Sequence, residues 1–376
     1  MTTYVLDARS ATNHFPGIGR YVSNLAQAMA LQLAATEHLL LLHDPSQPSR
    51  WQLPAASGQV TRLETAVSPF TLRQQWHIPR CLRRPHIGLY HSPFYLMPYR
   101  TGLPAVLTLY DLIPRRFPNT ISRRGRLLYR LSMWLALRQA AHVITTSETS
   151  RRDLLATHRL SPERVSAIPL APDTHFQPQP AAATARVRHH YHLPDRYVLY
   201  VGINKPHKNL ARLLDAWKLL VGNAIDPPVL LIAGAWDPRY PEPIVHAAEL
   251  QLAGSIRFLG PIPEEDLPAL YSGAAVFVFP SLYEGFGLPV IEAMACGTAV
   301  ACAHASSLPE VAGDAALYFD PARPTAIAET IGRLLADEAL RTDLAERGIA
   351  QAAQFTWSKT AEATLEIYRS VARRDA

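Results

Sequence analysis

Apolar positions in the first half of the chain gather into short β-rich runs, TYVLDA, HLLLLHD, IGLYHSP, AVLTLYD and AHVITTS, with helical spacing between them, as near Tyr21 to Gln32. Strands alternating with helices predict a parallel sheet covered on both faces. The stretch from Leu170 to Arg196 mixes proline, alanine and charge without a strand pattern, and reads as a linker. The alternation then resumes with YVLYVG, a helix NLARLLDAWKLL, and the runs PVLLIAG, IRFLG, AAVFVFPS and TAVACA. Two Rossmann-like α/β domains facing a cleft are therefore expected, over residues 1–172 and 173–357. A last helix, 358–376, carries Leu365, Tyr368 and Val371 at helical spacing and is expected to pack across the domains or return to the first.

Composition narrows this little. The chain has 376 residues, 48% of them hydrophobic and 18% charged, which suits two soluble domains rather than disorder. Cys81, Cys296 and Cys302 have neither metal-ligand spacing nor an even count, so a reducing, cytoplasmic setting is expected. Neither an export signal nor a run of about 18 uncharged apolar residues is evident.

The formal charge of +6 points to an anionic partner without identifying it. Its distribution says more. Nine arginines lie between Arg115 and Arg152 against one acid, Glu148, a pattern open to a solvated helix face, a membrane surface or a charged acceptor. No aromatic interleaving suggests nucleic acid.

Ligands of open α/β sheets bind beyond the carboxyl ends of strands, so residues following the β runs are the candidates. After the first run, PGIGRY offers Gly17 and Gly19 for close backbone approach at a helix start, or simply for a tight turn. After YVLYV, Lys208 precedes Asn209, a candidate N-cap, and a helix with Leu210, Leu213, Leu214 and Trp217 on one face. A lysine at the positive end of a helix suits a phosphate site. In SLYEGFGLPVIEAMACG, a loop carries Glu284, while Gly285 and Gly287 leave the Phe286 and Leu288 amides uncovered. Pro289 suits the first helical position and Glu292 the first turn. Amides for anionic oxygens and carboxylates for hydroxyls together describe a ligand that joins phosphate to polyol, as a sugar nucleotide does.

LYEGFGLPVIEAMACG followed by SSLPEVAGDAALYFDP resembles the signature of the retaining group 1, or family 4, glycosyltransferases of the GT-B fold. PGIGRY, SPFYLMP, ITTSETSRRDL, HKNL and IRFLG resemble further blocks of that family in the same order, so the similarity spans roughly Tyr4 to Thr356. The resemblance implies that Glu284 contacts donor-sugar hydroxyls, Glu292 the nucleotide ribose, Lys208 the diphosphate, and the Gly17–Gly19 turn the phosphate side. It also implies a nucleoside diphosphate sugar as substrate, a hydroxyl acceptor, and no metal or other cofactor. GDP-mannose is the favoured donor and surface polysaccharide or glycolipid assembly the favoured setting. The arginine stretch adds the expectation of a lipid-linked acceptor at the inner membrane face.

Two positions depart from the family pattern. Most relatives carry Thr-x-His-Asp after a first-domain strand, where TLYD here has Tyr110 before Asp111. Many also have an arginine one residue past the glycine of the second-domain strand, where this chain has Ile203, leaving more of the diphosphate charge to Lys208, with Lys205 a helper. Glu310, three after Ser307, has capping-box spacing; His91 follows a strand and suits either a ligand site or packing; and HHYH, 189–192, resembles metal spacing in an exposed linker. Rival readings are a retaining disaccharide phosphorylase and a non-enzymatic anion binder.

Overall fold

The structure is a computed structural model that describes residues 1–13, 16–47, 49–222 and 228–374. The chain divides into two compact units, Met1–Leu170 with Thr356–Ala376, and Ala171–Phe355.

The first unit holds a seven-stranded parallel sheet: β1 (Thr2–Asp7), β2 (Glu37–His43), β3 (Val60–Glu64), β4 (Ile87–Ser92), β5 (Ala105–Leu109), β6 (Ala140–Thr145) and β7 (Val165–Ala167), in the order β3-β2-β1-β4-β5-β6-β7. The second holds six: β8 (Tyr197–Val201), β9 (Val229–Ala233), β10 (Ile256–Gly260), β11 (Val276–Phe279), β12 (Val300–Ala303) and β13 (Ala316–Phe319), in the order β10-β9-β8-β11-β12-β13. In both, strand order reverses beside the first strand, between β1 and β4 and between β8 and β11. A parallel sheet opens a ligand crevice at such a reversal.

All ten expected strands form. The three that periodicity missed, β3, β7 and β13, are outer strands of their sheets. β3 is largely exposed and β7 is three residues long, so neither needs the continuous apolar run that marks a doubly covered strand.

Leu210, Leu213, Leu214 and Trp217 are buried on one face of the helix Leu210–Val221, as their spacing predicts. Trp217 Nε1 donates to Ser255 O at 3.1 Å. The expected linker is instead built into the second unit. Its helix Ala181–His190 buries Val187, with Phe176 and Leu193 buried on either side. Asp266 accepts from Arg186 at 2.9 Å and from Tyr191 at 2.8 Å. Three anchors among polar neighbours are too few for periodicity to register, yet enough to dock a short helix on a folded domain.

The last helix, Trp357–Arg374, lies in the first unit and buries Leu365, Tyr368 and Val371. Arg369 grips Glu37 of β2 with two bonds of 2.7 and 2.8 Å, and Thr360 donates to Pro169 O at 2.8 Å. The paired guanidinium, outweighing burial, holds the Glu37 carboxyl down at about 2.

Candidate functional site

In the second unit the residues after β8 and β11 meet at the strand-order reversal. Lys208 ends a 3-10 turn, Pro206–Lys208, and its Nζ lies 2.7 Å from Glu284 Oε1 and 4.9 Å from the Phe279 ring centroid. The two charged side chains are only 12% and 11% exposed. An ammonium has three donors, so pairing with Glu284 leaves capacity for anionic oxygens.

Asn209 occupies the N-cap position of the next helix but does not cap it with its side chain. Its backbone is left-handed (φ 62°), and its amide donates to Pro280 O at 3.1 Å and Pro321 O at 2.8 Å. One side chain thus ties the loops after β8, β11 and β13. Beside it, burial foremost and then the Lys208 charge lower the buried His207 to about 4. Lys205 stands near Asp237, whose carboxyl is held at about 2 by hydrogen bonds from Arg239 foremost, the Lys205 charge assisting.

The loop carrying Glu284 is held from behind. Ser306 Oγ donates to Glu284 O at 2.7 Å, and Ser307 Oγ lies 3.0 Å from Glu284 O and 2.8 Å from Phe286 O. Ser307 therefore makes no capping box with the exposed Glu310: its hydroxyl is spent on the glycine loop instead of on its own helix. Gly287 has φ 110°, a conformation that favours glycine, and a Cβ there would lie 2.7 Å from Leu308 Cδ2, so that side chain would have to shift as well. The helix that follows, Leu288–Ala295, starts one residue before Pro289. This puts Glu292 at the fifth helical position, past the first turn, because the left-handed Gly287 already serves as N-cap. Glu292 is buried at 3% exposure and accepts from Tyr271 OH at 3.1 Å. A role confined to the helix dipole fits it poorly, since that field fades beyond the first turn. Gly285 and Phe286 lie on the loop between, with Phe286 packed edge-on against Phe355.

In the first unit, Gly17 and Gly19 lie inside the helix Pro16–Ala30, at its second and fourth positions, where amides lack intrahelical partners. Gly17 has open space at its Cβ position. At Gly19 the Trp51 indole fills that position, at 2.1 Å from where a Cβ would stand. This glycine thus admits a neighbouring ring.

Tyr110 follows β5 with its hydroxyl buried and, among the described residues, without a hydrogen-bond partner; its ring meets Tyr21 edge-on at 5.3 Å. Burial raises its pKa well above the ordinary 10, so the hydroxyl is a proton donor and no base. Asp111 accepts from Ile113 N at 2.8 Å and stands near Tyr95 and Tyr129, whose phenols are raised by burial first and by its charge second. His91 is fully buried between Tyr368 OH at 2.5 Å and Thr108 Oγ1 at 2.8 Å, and Thr108 in turn meets Tyr21 OH at 3.0 Å. Burial lowers this histidine to about 3, which makes it a neutral packing group.

Sequence reasoning missed the bracing residues Ser306, Ser307, Asn209 and Tyr271. SSLP and HKN contained the signal, but their residue types read equally well as local caps. It missed also the buried pair Arg9–Asp7 at the end of β1, joined by two bonds of 2.9 and 2.6 Å and by Tyr90 OH at 2.5 Å. Among the described residues the group with metal-ligating geometry is Asp173, His175 and Glu264, which includes neither the candidate site residues nor any histidine of HHYH.

The family model for "Glycosyl transferases group 1" matches residues 184–351, and that for "Glycosyltransferase Family 4" matches residues 16–176. The chain is 32% identical over 374 residues to the O-antigen chain mannosyltransferase B of Escherichia coli, covering 94% of this chain and 96% of that one. It is similar to the solved structure of sucrose-phosphate synthase from Thermosynechococcus elongatus, with TM-score 0.75, 24% identity and 99% of each chain covered. It is similar also to Anabaena Alr3699/HepE in complex with UDP-glucose, with TM-score 0.76, 18% identity and coverage of 98% of this chain and 100% of that one. Likeness at this level establishes the fold.

Proposed function

The chain belongs to the group 1, family 4, glycosyltransferases and has their GT-B fold, and on that premise we propose that it moves a hexose from a nucleoside diphosphate sugar to a hydroxyl acceptor with retention of anomeric configuration. Mannose from GDP-mannose is the donor this reading favours, since the full-length relative is named a mannosyltransferase of O-antigen chains. The acceptor in this reading is a lipid-linked glycan presented at the inner membrane face.

The observation that carries the reading is the Lys208–Glu284 pair at 2.7 Å, set at the strand-order reversal beside a glycine loop and a helix start. Departure of the diphosphate develops negative charge. Lys208 and the amides opening the helix Leu288–Ala295 would stabilise that charge, so the step would need no metal. Glu284 would hold donor-sugar hydroxyls and Glu292 the ribose. In this reading the acceptor attacks from the face the diphosphate leaves, the leaving group takes the acceptor proton, and no enzyme nucleophile forms a bond to the sugar. Tyr110, at the position where relatives carry histidine, would donate a hydrogen bond near the reacting sugar beside Asp111.

A thermal-shift screen of nucleoside diphosphates and their sugars, run in EDTA, tests this. A ligand at about 100 times its Kd stabilises by about 2.7 kcal/mol. Glu292→Ala should weaken binding of the bare diphosphate, whereas Glu284→Gln should spare it and depress turnover. No nucleotide response, with phosphate-dependent release of a sugar phosphate, would replace this reading with a phosphorylase.

A further inference from the structure

The helix Arg123–Gln139 is apolar on two sides. One side buries Tyr129, Ser132, Met133, Ala136 and Leu137 against its unit. On the other, Leu127, Leu128, Leu131 and Trp134 are 70%, 58%, 53% and 54% exposed. At about 100° per residue, Leu127, Leu131 and Trp134 fall within about 60° of one another on the helical wheel. An exposed stripe of this size on a folded domain marks a surface that something covers.

The charges around the stripe indicate what does. Arg123, Arg124, Arg130 and Arg138 are exposed, and the helix contains no acid. Arg138 lies over the Trp134 ring at 5.5 Å, placing a cation at the edge of the apolar patch. A second copy docked face to face would set these arginines against their equals. Nucleic acid would answer the charge but leave three leucines in water. A bilayer with anionic headgroups answers both, offering phosphates to the arginines and acyl chains to the leucines and tryptophan. None of the described helices is long and apolar enough to cross a membrane, so the contact is one of lying in the surface.

We propose that the helix Arg123–Gln139 is an in-plane membrane anchor, with Leu127, Leu128, Leu131 and Trp134 sunk into an anionic leaflet and Arg123, Arg124, Arg130 and Arg138 on its phosphates. This deepens the membrane-presented acceptor of the function proposed above. It also adds something that arginines alone would not supply, a component of binding that survives salt. Electrostatic attraction to the leaflet decays over about 8 Å at physiological ionic strength, whereas apolar insertion is insensitive to screening.

The test is sedimentation of the intact protein with vesicles of phosphatidylglycerol and phosphatidylethanolamine, or of phosphatidylcholine alone, at low and high salt, with no donor or acceptor present. The expected result is strong binding to the anionic vesicles at low salt and a weaker, measurable remnant at high salt. Replacing Leu127, Leu131 and Trp134 together by serine should abolish the remnant and lower low-salt partitioning by at least about 100-fold, the equivalent of about three to four buried methylenes at about fourfold each and fewer than the variant removes. Its nucleotide-induced thermal shift should equal the parent's, which separates loss of docking from loss of the donor site. Should that variant fold poorly, bromine-labelled lipids decide: they should quench part of the parent's tryptophan emission, and that part should be missing in Trp134→Phe. Equal pelleting of parent and triple variant, no binding of the parent at low salt, or quenching unchanged by Trp134→Phe would overturn the anchor. A parent dimer that the triple variant dissolves would also overturn it, by making a second copy the occupant.

Discussion

Lys208 and Glu284 are each other's nearest charge and are nearly out of water, so the two cannot be altered independently. Lys208→Ala leaves a carboxylate buried and unpaired. It should cost about 3 kcal/mol of stability through that loss, and about 3 to 4 kcal/mol of transition-state stabilisation. The double change Lys208→Ala with Glu284→Gln separates the effects: thermal melting should recover toward the parent's, while turnover should fall well below that of Glu284→Gln alone. Turnover equal to that of Glu284→Gln alone would remove Lys208 from the chemistry. Tyr110 offers the opposite signature, because its hydroxyl has no hydrogen-bond partner among the described residues. Tyr110→Phe should leave Tm unchanged or raise it, an orphaned buried hydroxyl costing about 1 to 3 kcal/mol, while lowering kcat if the hydroxyl meets the donor sugar. Unchanged kcat would exclude it from the site.

Among elements, the glycine loop depends on the neighbouring loop's serines for its shape. Ser307→Ala removes the hydroxyl shared by Glu284 O and Phe286 O and should destabilise the second unit by about 1 to 2 kcal/mol in denaturant unfolding. Its kcat should fall more than its nucleotide affinity, because Glu284 is displaced whereas Glu292, on the helix beyond, is held by Tyr271. Equal losses would mean that the loop and the helix move as one. The serine pair also shows where reading the chain stops. A serine three residues before a glutamate has capping-box spacing, and only folding reveals that the hydroxyl faces another strand's loop. The outer strands β3, β7 and β13 escaped for a related reason, since a strand open on one edge need not be apolar throughout.

Over the whole molecule, stability should fall on the acid side in two stages in the first unit. Folded His91 resists protonation down to about 3, against 6.5 when unfolded, so its contribution is present above pH 6.5 and is lost as pH falls below that value. One such proton gives a slope of about 1.4 kcal/mol per pH unit. Glu37, held at about 2 against 4.5 unfolded, joins below pH 4.5 and is lost as pH falls toward 2. His207 adds a parallel loss in the second unit from 6.5 to about 4. Denaturant midpoints between pH 4 and 8 should show a shallower slope below 6.5 for His91→Gln than for the parent. Superimposable slopes would mean that His91 takes up its proton equally in the folded and the unfolded chain, and that burial does not lower it.

Local pattern was sufficient for ten strands, all but the edge strand β10 lying inside their sheets, for the amphipathic face of Leu210–Val221 and for Glu284 on its loop, because each depends on a few consecutive residues meeting one environment. Two Rossmann-like units follow from the same alternation. The pairing of Lys208 with Glu284, the burial of Glu292 under Tyr271, the indole against Gly19 and the orphaned Tyr110 hydroxyl required the folded chain. In each, residues between 21 and 89 positions apart are brought together, or one side chain is stripped of water by many others, and no local spacing encodes such a meeting. The arginines of Arg123–Gln139 were visible as charge, but nothing in their spacing assigned the leucines between them to a buried or an exposed side. Only tertiary packing, which uses the helix's opposite side for the domain interior, leaves them facing out.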